Sequence, residues 1–141
     1  MSAAAAFAPV FAQVALTLAL LAWTGIVRGR AIRSGAVRPE DIVLGQPNWP
    51  ALPTQAANAF ANQFELPILF YLVVLAAFVT GHMTVTLLVL AWAFVATRLV
   101  HAVIHTTINA LRPRSLVFAA GYFVLVAMWL LFVIDVMSGA G

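Results

Sequence analysis

The chain has 141 residues, of which 65% are hydrophobic and 8% are charged. Soluble domains are about 45–50% apolar and about 25% charged, and a fold of this size could not bury so much apolar side chain. The composition therefore excludes a soluble enzyme and a disordered chain, and it argues against nucleic acid as a partner. Because the chain contains no cysteine, a disulfide framework, a thiolate metal site and a cysteine nucleophile are also excluded.

Four stretches are long and apolar enough to cross a membrane as helices, which takes about 20 residues each. They are residues 3–27, 56–79, 85–109 and 116–137. Short turns at residues 80–84 and 110–115 join the last three, whereas the first connection, residues 28–55, is long, polar and interrupted by proline. We predict an all-α integral membrane protein, an antiparallel bundle of four transmembrane helices that forms a single domain over residues 1–141.

Arginine side chains determine the predicted orientation in the membrane. They are concentrated in the first and third connections, at Arg28, Arg30, Arg33, Arg38, Arg112 and Arg114. With four spans these connections lie on one side, and the positive-inside rule places them in the cytoplasm. We therefore expect both termini outside, and no cleaved signal peptide because the N-terminus lacks a positive region. Arginine without lysine, together with many alanines, is typical of a GC-rich bacterial genome and suggests a bacterial inner membrane.

Polar residues recur on one face of three spans, at about 100° per residue. The stripes are Gln13, Thr17 and Thr24 in the first span, Asn58, Asn62 and Glu65 in the second, and Arg98, His101, His105 and Asn109 in the third. An ionisable residue at membrane depth costs about 2.5–3.5 kcal/mol. We therefore expect the stripes to face one another in a polar seam, with the apolar surfaces turned to lipid.

Glu65 and Arg98 are the natural partners in this seam, because a buried arginine keeps its charge and must find a carboxylate or carbonyl groups. We expect Arg98 to contact Glu65 directly or through one residue. Two interpretations stay open: a salt bridge that joins two spans, or a site where Glu65 receives the cationic group of a ligand. Pro67 should kink the second span, since it removes a backbone donor and leaves the carbonyl of Gln63 unpaired.

Two further groups of residues allow alternative interpretations. His101 and His105 have the i, i+4 spacing that, with Glu65, could supply three zinc ligands, although we expect hydrogen-bonded histidines and no metal. Arg114 and Ser115 open the fourth span, where free backbone N–H groups and the helix dipole favour an anion. Ser115 could also cap this helix. Two interpretations therefore stay open: the segment is a topology signal with a helix cap, or it binds an anion.

The segment Asn62-Gln-Phe-Glu65-Leu-Pro67-Ile-Leu-Phe-Tyr71 resembles the signature of the MAPEG family, the membrane-associated proteins of eicosanoid and glutathione metabolism. Arg98-x-x-His101 in the third span and Arg114-Ser115 at the start of the fourth agree with it, and the resemblance covers essentially the whole chain. It implies four-helix protomers that assemble as a homotrimer among membrane lipids. It also implies glutathione as co-substrate, bound between subunits towards the cytoplasmic side.

The resemblance further implies a function and roles for individual residues. The function would be that of a membrane-bound glutathione transferase or peroxidase acting on lipophilic small molecules. Arg114 would be the catalytic group that stabilises the glutathione thiolate. Six further residues would bind the substrate: Asn62, Glu65, Arg98, His101, His105 and Ser115.

Three positions depart from the pattern of the glutathione-using members. These members usually have an arginine where this chain has Asn58, one turn before Asn62. They often have tyrosines where this chain has His105 and Phe118. This chain therefore lacks one arginine that would bind a carboxylate, and it lacks two hydroxyl groups. Their absence favours the alternative of a non-enzymatic membrane protein of the same architecture that binds a lipid or another small ligand.

Overall fold

Five α-helices build the part of the chain that the structure describes, residues 1–139. In this computed structural model they are α1 (Ala3–Arg33), α2 (Ala51–Ala61), α3 (Leu66–Val79), α4 (Val85–Thr106) and α5 (Leu111–Ser138). Helices α2 and α3 together make one span, Ala51–Val79, so that four helical stretches are long and apolar enough to cross a membrane. Residues 1–139 contain no strand, and the predicted all-α bundle of four membrane helices is confirmed.

Helix α1 extends beyond the stretch predicted from hydropathy. It continues to Arg33, so that Arg28, Arg30 and Arg33 lie on its last two turns and not in a loop. Cationic side chains are favourable there because the C-terminal end of a helix carries partial negative charge. The first connection consequently shrinks to residues 34–50.

The helices that begin at the arginine-rich end of the bundle have proline in or before their first turn. Helix α2 begins at Ala51 after Pro50, and α5 begins at Leu111 with Pro113 in its first turn. Proline is compatible with these positions because the first N–H groups of a helix have no partner within the helix. The N-cap of α5 is Ala110, so the expectation that Ser115 caps this helix is wrong, and Ser115 lies inside it.

The connections are held by local polar contacts. Arg38 precedes the 3₁₀ turn of the first connection and Asp41 is its last residue, with Arg38 Nε 3.0 Å from Asp41 Oδ2. The hydrogen bond and the charge of Asp41 raise the pKa of the exposed Arg38 guanidinium. The predicted turn at residues 80–84 is confirmed, and it ends on Thr84, whose hydroxyl accepts from the Leu87 N–H at 3.2 Å and caps α4.

Aromatic and branched side chains of α3, α4 and α5 form the main core. The rings of Phe70 and Phe94 stack with their centroids 4.6 Å apart, and both residues are fully buried. Leu125 and Met128 of α5 complete this cluster. The outer faces carry exposed apolar side chains such as Leu130, as expected of a bundle that has lipid as its solvent.

Helices α4 and α5 pack directly against each other at Gly121. A Cβ atom at this glycine would lie 2.7 Å from the hydroxyl oxygen of Thr97. That hydroxyl donates to the Phe94 carbonyl at 2.7 Å, which fixes its position. Glycine therefore allows the close approach of the two helices, as small residues commonly do between membrane helices.

We expect Gly121→Leu to destabilise the bundle by about 1–3 kcal/mol, because the new side chain must push α4 away from α5. Thermal unfolding in detergent measures this change. Gly25→Leu is the matched control, since a Cβ at Gly25 meets nothing within 4 Å. Equal losses of stability in the two variants would contradict the assignment of Gly121 as a packing contact.

Candidate functional site

The second span is broken at residues 62–65. Helix α2 ends at Ala61, a 3₁₀ turn covers Asn62–Phe64, and α3 begins at Leu66. Glu65 lies between them with φ −95° and ψ −104°, which is not helical. The buried Pro67 follows in the first turn of α3, where its missing N–H is tolerated. The kink predicted from Pro67 is therefore present, as a complete break in the helix.

Side chains from neighbouring helices bond to this break. Nη2 of Arg98, on α4, donates to the Asn62 carbonyl at 3.3 Å. Nε2 of Gln13, on α1, donates to Gln63 Oε1 at 2.8 Å, and Nε2 of Gln63 donates to the Ala59 carbonyl at 3.1 Å. The break is thus attached to α1 on one side and to α4 on the other.

Arg98 contacts the segment that carries Glu65, but the two side chains form no direct ion pair. Within residues 1–139 the single ion pair is Arg38–Asp41. Arg98 is 0% exposed, and its Nε and Nη1 have no protein partner. Its guanidinium carbon lies 5.5 Å from the centre of the Phe118 ring. The break explains the outcome, because it offers the Asn62 carbonyl to Arg98 while Glu65 stays exposed.

One cleft of about 280 Å³ collects most of the predicted site residues. It is lined by Asn62 and Glu65 from the break, His101 and His105 from α4, and Arg114, Ser115 and Phe118 from α5. Arg98 does not line this cleft and lies buried behind it, in contact with Asn62. Three separate segments of the chain therefore bring polar groups to one place at the arginine-rich end of the bundle.

His101 and His105 are each 3% exposed and lie one turn apart on α4. Their ring centroids are 5.5 Å apart. Nδ1 of each ring is enclosed without a partner, which leaves Nε2 as the nitrogen that can reach a ligand. Because an enclosed N–H without a partner is costly, we assign the ring proton to Nε2. Both imidazoles then present a hydrogen-bond donor to the cleft.

The alternative zinc site is not assembled. In the described part of the chain, no group of three histidine, aspartate or glutamate side chains is close enough to hold a metal ion. Glu65 shares the cleft with His101 and His105, but the three do not converge on a common point.

The connection between α4 and α5 fixes the position of Arg114. Nη1 of Arg114 donates to Asn109 Oδ1, and Asn109 itself adopts a left-handed conformation with φ 47°. Gln55 of α2 donates from Nε2 to the carbonyls of His105 at 2.6 Å and Thr107 at 3.1 Å. These bonds satisfy the last carbonyls of α4 and join its end to α2.

Two of the predicted polar stripes are interrupted in the structure. Asn58 lines a second cavity of about 330 Å³ together with Arg28 and Trp49, and it does not line the cleft that contains Asn62 and Glu65. The two asparagines remain neighbours along α2, since Nδ2 of Asn62 donates to the Asn58 carbonyl at 3.3 Å. On α1, the hydroxyls of Thr17 and Thr24 bond to carbonyls of their own helix, whereas Gln13 bonds to Gln63 of the second span.

The polar stripes do not predict the side-chain contact of Gln63 with Gln13. Gln63 lies about 100° from Asn62 on an ideal helix and therefore falls outside the predicted stripe. The available signal was a pair of long amide side chains in adjacent spans, Gln13 and Gln63, with the second of them four residues before Pro67.

The lining groups combine one carboxylate with several hydrogen-bond donors. Glu65 is the only acidic residue among the lining residues, and Arg114 is the only one with a permanent positive charge. Asn62, Ser115 and the two imidazoles add neutral donors. Such a set suits a ligand that carries both a cationic group and anionic groups, since charged partners make the strongest hydrogen bonds.

Asn109 has two separable roles, which substitutions can distinguish. Asn109→Gly keeps the left-handed backbone accessible and removes the bond to Arg114, whereas Asn109→Ala removes the bond and strains the backbone. We expect the alanine variant to be less stable than the glycine variant by about 1 kcal/mol. Thermal unfolding of both variants in detergent tests this order, and the reverse order would show that the conformation of Asn109 carries no strain.

A family model described as the MAPEG family matches residues 6–134 of the chain. The matched range contains every residue that lines the cleft, together with Arg98, Gln13 and Gln63. No curated protein and no solved structure matches the chain.

Proposed function

The chain belongs to the MAPEG family, and on this basis we propose that it uses the thiolate of glutathione to conjugate or reduce lipophilic electrophiles. Membership supports a membrane role in glutathione-related or eicosanoid metabolism in general. The observation that carries the more specific proposal is the cleft, where Glu65 lies together with Arg114 and a set of neutral donors.

Glutathione has the chemistry that this set of groups can bind. It carries one ammonium group, two carboxylates and a thiol. In our proposal Glu65 binds the ammonium group, and Asn62, Ser115 and the imidazole N–H groups donate to a carboxylate or to the sulfur. Arg98 contributes indirectly, because it holds the carbonyl of Asn62 from behind.

Arg114 is the proposed catalytic group. Arginine side chains are positively charged, and a neighbouring positive charge favours a thiolate over a thiol. In conjugation, the thiolate sulfur forms a bond to an electrophilic carbon of the second substrate and displaces its leaving group. In peroxide reduction, the sulfur takes the terminal oxygen, and a second glutathione completes the reaction to disulfide, alcohol and water.

His105 supports this proposal at a position where glutathione-using relatives often carry tyrosine. Its Nε2–H can donate a hydrogen bond to the sulfur, as a phenolic hydroxyl would. The imidazole thus restores one of the two missing donors, and Phe118 leaves the other position without one.

An apolar groove of about 310 Å³ lies beside the cleft and supports a lipophilic second substrate. Leu66, which follows Glu65, and Tyr122, one turn after Phe118, line the end of the groove near the cleft. The groove continues along α5 to Val133, over about 16 Å of helix. A hydrophobic electrophile could enter this groove from the membrane and reach the sulfur without crossing water.

The proposed setting is a homotrimer in a bacterial inner membrane, with the cleft on the cytoplasmic side and both termini outside. The arginines at the end of α1 and at the start of α5 support this orientation, since they lie at the same end of the bundle as the cleft.

The alternative is a non-enzymatic protein of the same architecture that binds a lipid or another small ligand. Phe118 favours it, because its ring packs 5.7 Å from the His101 ring and 5.5 Å from the Arg98 guanidinium. It thereby fills space where glutathione-using relatives often have a hydroxyl group. Asn58 favours it too, because glutathione-using relatives usually have an arginine at this position, whereas this chain has an asparagine that lines the second cavity.

Glutathione binding tests the ligand. We expect calorimetry on protein in nanodiscs to detect binding, and we expect Glu65→Gln to weaken it about tenfold because the ammonium group loses its charged partner. Glu40→Gln, in the first connection and outside the cleft, should bind as the wild type does. An absence of heat at millimolar glutathione would refute the proposal and leave the non-enzymatic alternative.

Turnover tests the role of Arg114. With an aryl chloride as electrophile, Arg114→Ala should lower the turnover rate about a hundredfold and weaken glutathione binding much less, because the guanidinium acts mainly on the developing thiolate. Arg112→Ala is the matched control, since Arg112 is exposed and does not line the cleft. Turnover that is unchanged in Arg114→Ala would argue for the non-enzymatic alternative.

A further inference from the structure

Two buried amide side chains meet at the broken span, away from the cleft. Gln13 is 0% exposed and Gln63 is 1% exposed. Nε2 of Gln13 donates to Gln63 Oε1 at 2.8 Å, and Nε2 of Gln63 donates to the carbonyl of Ala59 at 3.1 Å. Neither side chain lines the cleft, so this amide pair has no direct contact with a ligand bound there.

The amide pair is retained although it leaves a polar atom unsatisfied. Oε1 of Gln13 is enclosed and has no partner. Burying an unpaired polar atom is costly, and replacing both members of a buried polar pair by apolar groups of similar shape is often close to neutral for stability. Stability alone therefore does not account for two glutamines at these positions.

The position of Gln63 within the break gives the pair a second role. It follows Asn62, whose carbonyl accepts from Arg98, and it precedes Glu65 by two residues. The α4 side of the break is held by Arg98, and the α1 side is held by Gln13. If the Gln13 bond were lost, the break would keep one side-chain hydrogen bond to a neighbouring helix, that from Arg98, and the segment that carries Asn62 and Glu65 would be less firmly oriented.

We propose that Gln13 and Gln63 are positioning residues, which hold the broken span so that Asn62 and Glu65 are oriented to bind the ligand in the cleft. This inference rests on the proposed function for the identity of the ligand, glutathione. The pair acts through the backbone of residues 62–65 and takes no part in the chemistry at the sulfur. Its loss should therefore affect binding and KM, and leave the turnover rate at saturation nearly unchanged.

The test compares Gln13→Leu, Gln63→Leu and the double variant, each in nanodiscs. Each single variant should bind glutathione about tenfold more weakly and lose stability, because one amide is left without its partner. In the double variant the melting temperature should be higher than in Gln63→Leu, since both variants lose the donor to the Ala59 carbonyl but the double variant has no unpaired amide side chain. Glutathione affinity should stay as weak as in the single variants. Affinity that recovers together with the melting temperature would overturn the proposal and show a merely structural role.

Thr24→Val is the matched control on α1. Thr24 is buried, and its hydroxyl bonds to the Leu20 carbonyl of its own helix at 2.8 Å. The substitution removes a buried polar group from the same helix and leaves the break untouched. It should leave glutathione affinity and KM at the wild-type values, and a loss equal to that of Gln13→Leu would overturn the proposal.

Hydrogen exchange of the ligand-free protein separates this inference from the proposed function. Gln13→Leu should speed amide exchange in residues 59–68 relative to both the wild type and Thr24→Val, because the break has lost its attachment to α1. Unchanged exchange would overturn the inference even if glutathione binds. If the wild type binds no glutathione, the proposed function fails, and the exchange result still decides whether the amide pair holds the break.

Discussion

A helix inside a membrane has no water to bond an unpaired carbonyl group, and the break at residues 62–65 is where this chain has to meet that constraint. The side chain of Arg98 bonds to the carbonyl of Asn62, and the side chain of Gln63 bonds to that of Ala59. Gln13 then connects Gln63 to α1. The hydrogen bonds that satisfy the carbonyl groups at the break therefore join three of the four spans. The arrangement of the bundle around the cleft depends on these bonds.

The same bonds keep opposite charges apart. If Arg98 had paired with Glu65, each would have neutralised the other, and neither would have been free for a ligand. Because a backbone carbonyl takes one donor of Arg98, Glu65 stays exposed at the cleft, where Arg114 from α5 is the opposite charge. A carboxylate and a guanidinium that do not pair can act on two ends of one ligand, which is the feature that the proposed chemistry needs.

Sequence patterns predicted the spans because lipid requires long apolar helices, and this signal does not depend on the fold. They also predicted the turn at residues 80–84 and an interruption near Pro67, since proline acts on the local backbone. The predictions that were wrong concern a helix boundary and the cavity that a side chain lines. Ser115 is no cap because α5 begins at Leu111, and Asn58 lines a different cavity from Asn62 and Glu65.

The sequence by itself determined the solvent of this protein, the number of its membrane helices and which of their residues are polar, because hydropathy and proline act over short stretches of chain. The tertiary structure alone decided how those residues are paired: Arg98 with a carbonyl, Gln13 with Gln63, and Arg114 with Asn109. Such pairing depends on which donors and acceptors packing brings within hydrogen-bond distance. Residues 36 and 50 positions apart in the chain meet at the break, and no periodicity within one helix contains that information.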